Sequence, residues 1–130
     1  MNQELNDIQS FLEITISEDI NEAIERGNSL SVYIARTGKL LADAKKELDM
    51  RMQSEVISML QRVAKETPNA TSKTVNALTD SLCREEKYMV NWIERLNRTA
   101  THQLDWMRTL VSKAKHDSYY SSGVSQTMNR

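Results

Sequence analysis

Forty-nine residues, from Glu18 to Glu66, pass without a proline while apolar side chains recur in heptads. Ile20, Ile34, Leu41 and Leu48 recur at multiples of seven. Ala23, Leu30 and Ala44 fill an adjacent column, and Ile24 widens the stripe. The pattern continues through Met52, Val56, Met59, Leu60 and Val63. A period between 3.5 and 3.6 sustained this long describes one amphipathic helix over 18–66. At about 1.5 Å per residue it runs roughly 70 Å. Gly27 and Gly38 are its weak points, each costing about 1 kcal/mol relative to alanine. Either marks a kink or a close approach of another backbone.

Thr67-Pro68 ends this run, because the residue before proline avoids the α region and proline suits the first turn of a new helix. A second helix is expected over 68–116. Val75, Leu82, Met89, Leu96 and Leu110 repeat in heptads, with Gln103 as the one polar break. Leu78, Ile93, Ala100, Met107 and Ala114 flank that seam. Ahead of the long helix, Leu5, Ile8 and Leu12 give a short helix over 3–12. The β-branched run EITIS then predicts an extended connector, with Ser17 as the N-cap of the long helix. The last residues, 117–130, show no period and many small polar side chains, and read as a flexible tail.

The chain is therefore all-α: a long antiparallel helical hairpin, with 1–116 as a single helical domain. A turn centred near 69 places position i opposite about 138 − i. This register puts Gly38 beside Ala100, Asp43 near Arg95 and Arg36 near His102. A lone hairpin buries one stripe per helix, a poor core for its surface. Two protomers forming a four-helix bundle bury the off-centre positions as well. The competing arrangement breaks both helices near Gly38 and Asn97 and packs a compact monomer.

Bulk numbers narrow the function classes. Only three glycines and one proline in 130 residues exclude a turn-rich β fold. A net charge of −1 supplies no global attraction for nucleic acid or an anionic membrane. The single cysteine, Cys83, forms no internal disulfide and suits a reducing compartment. No signal peptide or membrane-length apolar run is visible, so a cytoplasmic location is expected.

The candidate site is a pair of polar stripes. On the second helix Asn91, Arg95, Arg98, His102 and Asp105 lie near one line. The first helix offers Tyr33, Arg36, Lys39 and Asp43 at similar spacing. Facing one another, the guanidinium groups become partly desolvated and call for carboxylate or phosphate partners. A nucleotide or another phosphorylated anion fits such a layer. Interhelical salt bridges beside the seam are the plainer account. Trp92 and Trp106, two heptads apart, share a face that suits a protein interface or, with nearby basic residues, stacking of single-stranded nucleic acid. Met50, Met52, Met59, Met89 and Met107 read as core filler in preference to an adaptable groove.

No Glu-x-x-His pair accompanies His102, and no histidine stands near Cys83 in sequence, so neither metal binding nor nucleophilic catalysis is indicated. No cofactor is implied, and the chain reads as non-enzymatic.

Two segments, ARTGKLLADAKKELD and ERLNRTATHQLDWMRTLVSKAK, resemble uncharacterised small all-helical proteins encoded by bacteriophages and prophages. The matching residues are Gly38, Lys39, Leu41, Ala42, Asp43, Ala44 and Lys45, then Glu94, Arg95, Leu96, Asn97, Thr101, His102, Gln103 and Arg108. The resemblance covers about a third of the chain. It implies a cytoplasmic protein of an infected or lysogenic bacterium and carries no activity to transfer; the leading expectation is a dimeric interaction protein that binds a host or phage protein.

Overall fold

The structure is a computed structural model and describes residues 2–66 and 71–128, with side chains described through Tyr120. Four helices and no strands occur among the described residues: α1 (Asn2–Leu12), α2 (Ile20–Glu66), α3 (Ser72–Leu82) and α4 (Arg84–Met128). The expected long helix is present as α2, and the short N-terminal helix as α1. The turn at Thr67-Pro68 lies outside the described residues.

The caps differ from expectation at the start of α2. Asp19, not Ser17, caps it: Asp19 Oδ1 accepts from the backbone N–H groups of Asn21 and Glu22 at 3.0 and 3.1 Å. Ser17 Oγ accepts from the Asp19 N–H one step earlier. A carboxylate is the better cap here because it also complements the helix dipole.

The chain forms two compact units. One contains residues up to Arg36 together with those from Leu96 onward, and the other spans Thr37–Arg95. In the first unit α1 buries Leu5, Ile8 and Leu12, α2 buries Ala23 and Leu30, and α4 buries Leu96, Ala100 and Met107. Here α2 and α4 run antiparallel: Arg26 meets Gln103, a Cβ on Gly27 would sit 3.7 Å from Leu104 Cδ1, and Asn97 donates to the Ile34 carbonyl at 3.0 Å. These pairs lie roughly seven residues, two helical turns, from the expected register.

In the second unit the core holds Thr37, Leu40, Ala44, Met59, Val75, Thr79, Cys83, Val90 and Ile93. The expected continuous second helix is broken at Cys83, whose backbone (φ −97°, ψ 19°) closes α3 before α4 begins. One turn earlier the buried Thr79 hydroxyl donates to the Val75 carbonyl at 2.9 Å. Such back-bonding bends helices by drawing on the backbone's own acceptor. Lys87 and Asp80 pair across the break at 2.8 Å. Thr71 caps α3 by accepting from the Thr74 N–H.

Two further expectations change. A Cβ on Gly38 would meet nothing within 4 Å, so no close approach calls for glycine there. The segment expected as a tail from residue 117 is helical through Met128, as the continuation of α4.

Candidate functional site

In the first unit Arg36 is engaged by α1. Its Nη2 donates to Glu4 Oε2 at 2.9 Å, and its Nε donates to Oε1 of the same carboxylate. This two-pronged pair holds the Glu4 carboxyl below its ordinary range. The expected approach of Arg36 to His102 is therefore replaced by an α1 contact. His102 lies exposed on the face of α4 opposite Leu96, Ala100 and Met107, as do Arg98 and Asp105. Asp105 is 3.4 Å from Arg108 on its own helix. Tyr33 is half-buried and packs on Phe11, with ring centroids 4.9 Å apart.

In the second unit Asp43 pairs with Lys39 one turn back at 2.9 Å, in place of the expected Arg95. Arg95 and Asn91 are exposed on the outer side of α4. In the first unit the shift in register carries Arg36 past His102, whereas in the second unit Arg51 Nη1 lies 3.5 Å from Glu86 Oε1, a pair that keeps the expected register. The residues of the expected layer thus lie mainly on outer surfaces: Arg36 is held by Glu4 of α1, and Lys39 with Asp43 and Asp105 with Arg108 pair within their own helices.

The polar centre of the first unit is a residue that the periodicity did not single out. Arg26 projects from α2 beneath the end of α1, and its Nη2 donates to the Phe11 carbonyl at 3.2 Å and to Gln103 Oε1 at 2.8 Å. Gln103 in turn donates through Nε2 to the Leu12 carbonyl at 2.9 Å. The last carbonyls of a helix lack intrahelical partners, so Arg26 and Gln103 together satisfy two of them for α1. The guanidinium also lies 4.7 Å from the Phe11 ring centroid. Burial lowers the Arg26 pKa, but a guanidinium keeps its proton in proteins, so the group is a permanent cation. Its Nε is buried without a partner among the described residues. The one sequence signal for this network was the polar break at Gln103.

Beside Arg26 an open cavity of about 310 Å³ lies between the connector and α2, bordered by Phe11, Ile14, Ser17, Glu22, Ala23 and Glu25. Its walls mix the Glu22 and Glu25 carboxylates, the Arg26 guanidinium, hydroxyls and apolar carbon.

The tryptophans part company. Trp92 is half-buried and lies near Tyr88, with centroids 6.2 Å apart, whereas Trp106 keeps 50% of its surface exposed. Cys83 is fully buried, and that burial, helped by the nearby Glu86 carboxylate, pushes its thiol pKa up. A buried, protonated thiol is a small hydrophobe and a poor nucleophile. Among the described residues no group of three or more His, Cys, Asp or Glu side chains is arranged to hold a metal ion, and no helix is long and apolar enough to cross a membrane.

No family model, curated protein or solved structure matches the chain.

Proposed function

We propose that this chain is a non-enzymatic interaction protein that forms a homodimer and acts by binding another protein. The observation that carries the reading is Trp106. Its ring stands half-exposed on the outer face of α4, among Arg98, His102 and Lys113, where a solvated helix normally carries only polar groups. Exposed tryptophan beside arginine is the composition of the anchor points at protein interfaces. The resemblance to phage-encoded helical proteins favours a bacterial cytoplasmic setting, with a host protein or a replication or recombination factor as partner. The alternative is a nucleotide, another phosphorylated anion or single-stranded nucleic acid bound in an arginine layer between helices. It is disfavoured by the pairing of Arg36 with Glu4, which neutralises one of the cations that layer needs.

Affinity capture from a bacterial lysate tests the reading. The intact protein should retain a discrete partner, and Trp106→Ala should reduce its recovery at least tenfold without changing helix content. Equal recovery with both proteins would remove Trp106 as the anchor. A thermal shift with nucleotides that disappears in Arg95→Ala and Arg98→Ala variants would favour the alternative.

A further inference from the structure

In the second unit α2 carries two apolar rows, each with the alternating four-three spacing of a coiled-coil seam. One row, Met52, Val56, Met59 and Val63, turns inward, with Met59 buried and the others half-buried. The other row, Met50, Gln53, Ile57, Leu60 and Ala64, lies about a third of a turn around the helix and is exposed throughout. Met50, Ile57 and Leu60 keep 61%, 58% and 53% of their surfaces in contact with solvent. The exposed Ser54, Ser58 and Gln61 on one flank carry no charge, while the exposed Lys46 and Asp49 stand at the row's N-terminal end. Glu55 turns partly inward and pairs with Arg51 at 3.4 Å.

We infer that this outer row is the seam on which a second copy of the chain packs, with the two α2 helices antiparallel across a two-fold axis. The inference rests on the dimer proposed above and adds its surface and direction. A four-three repeat is shaped for another helix, because it keeps the apolar line facing a partner along several turns. From Met50 to Ala64 the row itself is uncharged, so two antiparallel copies, which set Lys46 opposite Ala64, meet over it without like-charge repulsion. Direction follows from the flank. Glu47 stands near the start of the row and Lys65 near its end, both exposed on the same side of α2 and neither making an ion pair among the described residues. Antiparallel pairing with Met50 opposite Leu60 and Gln53 opposite Ile57 brings Glu47 of each copy within reach of Lys65 of the other. Parallel pairing sets each charge beside its own kind. A two-fold contact uses the complementary pair twice.

Sedimentation velocity on the full chain is the test. The wild type at tens of micromolar should run at about twice 14.9 kDa. Ile57→Glu should run at 14.9 kDa with an unchanged helical circular dichroism spectrum, since the residue is exposed within one chain. Leu60→Lys should do the same. Glu47→Lys and Lys65→Glu should each weaken the dimer about three- to tenfold, the range for two exposed ion pairs, and the double variant should restore it. A monomeric wild type overturns both the dimer and the seam. A dimer that survives Ile57→Glu and Leu60→Lys overturns the seam alone. Loss of the dimer in Ile57→Glu without rescue in the charge-reversed double variant overturns the antiparallel direction.

Discussion

Arg26 of α2 and Gln103 of α4 meet at 2.8 Å beneath the last turn of α1, and each also holds a carbonyl of that turn. Three helices are thereby joined by two side chains, in a unit whose remaining core is aliphatic. Replacing Gln103 by leucine removes an acceptor from a partly buried guanidinium and a donor from the Leu12 carbonyl. Leaving such groups unsatisfied costs about 1–3 kcal/mol. Gln103→Leu should therefore lose stability of that order in urea denaturation. Arg26→Leu combined with Gln103→Leu should lose less than the two single changes added together, because the pair acts as one network. Strict additivity in this double-mutant cycle would show that the contact carries no coupling.

The bond from Arg36 to Glu4 makes a pH-dependent contribution whose direction is set. The folded carboxyl titrates below its ordinary value of 4.5 because Arg36 donates to its charged form. A depressed folded pKa stabilises the protein above the unfolded value, and that contribution fades as pH falls through the folded one. Arg36→Ala should bring the Glu4 titration, followed by NMR, back toward 4.5 and flatten the stability profile in the acid range. An unmoved Glu4 titration in Arg36→Ala would show that the pair does not form in solution.

Gly38 and Gly27 sit inside α2 without a conformational reason to be glycine. Neither has a positive φ. A Cβ on Gly38 would meet open space, and one on Gly27 would make an ordinary contact, 3.7 Å from Leu104 Cδ1. Gly38→Ala and Gly27→Ala should each stabilise the chain by about 1 kcal/mol, the propensity difference for a helix interior. The denaturation midpoint should rise with unchanged slope. A fall for Gly38→Ala would show that another backbone approaches this position in solution.

How far such details are legible in the sequence depends on which physical signal encodes them. Apolar spacing identified part of the core: Leu5, Ile8, Leu30, Ala44, Val75, Ile93, Leu96, Ala100 and Met107 are buried, whereas the leading column Ile20, Ile34, Leu41 and Leu48 is only half-buried and Leu60, Leu78 and Leu82, expected on the buried stripes, are exposed. Burial depends on periodicity within one helix, and periodicity is local. Register is not local. A seven-residue repeat matches itself again after a slip of seven, so sliding one helix by two turns restores the same kinds of apolar pair. That is the size of the difference in the first unit, whereas Arg51 and Glu86 of the second keep the expected pairing. Arg26 and Gln103 meet only in the realised α2–α4 register, and Arg36 and Glu4 meet only through the packing of α1 on α2, so each contact joins distant segments. The break at Cys83 was hidden for another reason: neither glycine nor proline marks it, and it coincides with a hydroxyl bonding its own helix at Thr79. Ile24, expected to widen the buried stripe, is instead 48% exposed.

Cys83 gives a last prediction that separates burial from reactivity. Its thiol is fully buried where α3 meets α4, and burial, with the Glu86 carboxylate, raises its pKa. At neutral pH the thiol therefore stays protonated, and the reactive thiolate is scarce. A thiol reagent such as a disulfide-exchange chromophore should modify Cys83 slowly in the folded protein and completely in denaturant. The modification rate should track opening of the core, so a destabilising change such as Thr79→Ala should accelerate it in proportion to the stability lost. That variant removes the buried hydroxyl's 2.9 Å bond to the Val75 carbonyl and leaves a small void beside the sulfur's helix turn, at a cost of about 1–2 kcal/mol. This corresponds to roughly a five- to thirtyfold faster reaction when opening precedes labelling. Fast stoichiometric labelling of the folded wild type would show that the helix junction opens on its own, and that Cys83 belongs to a surface instead of the core.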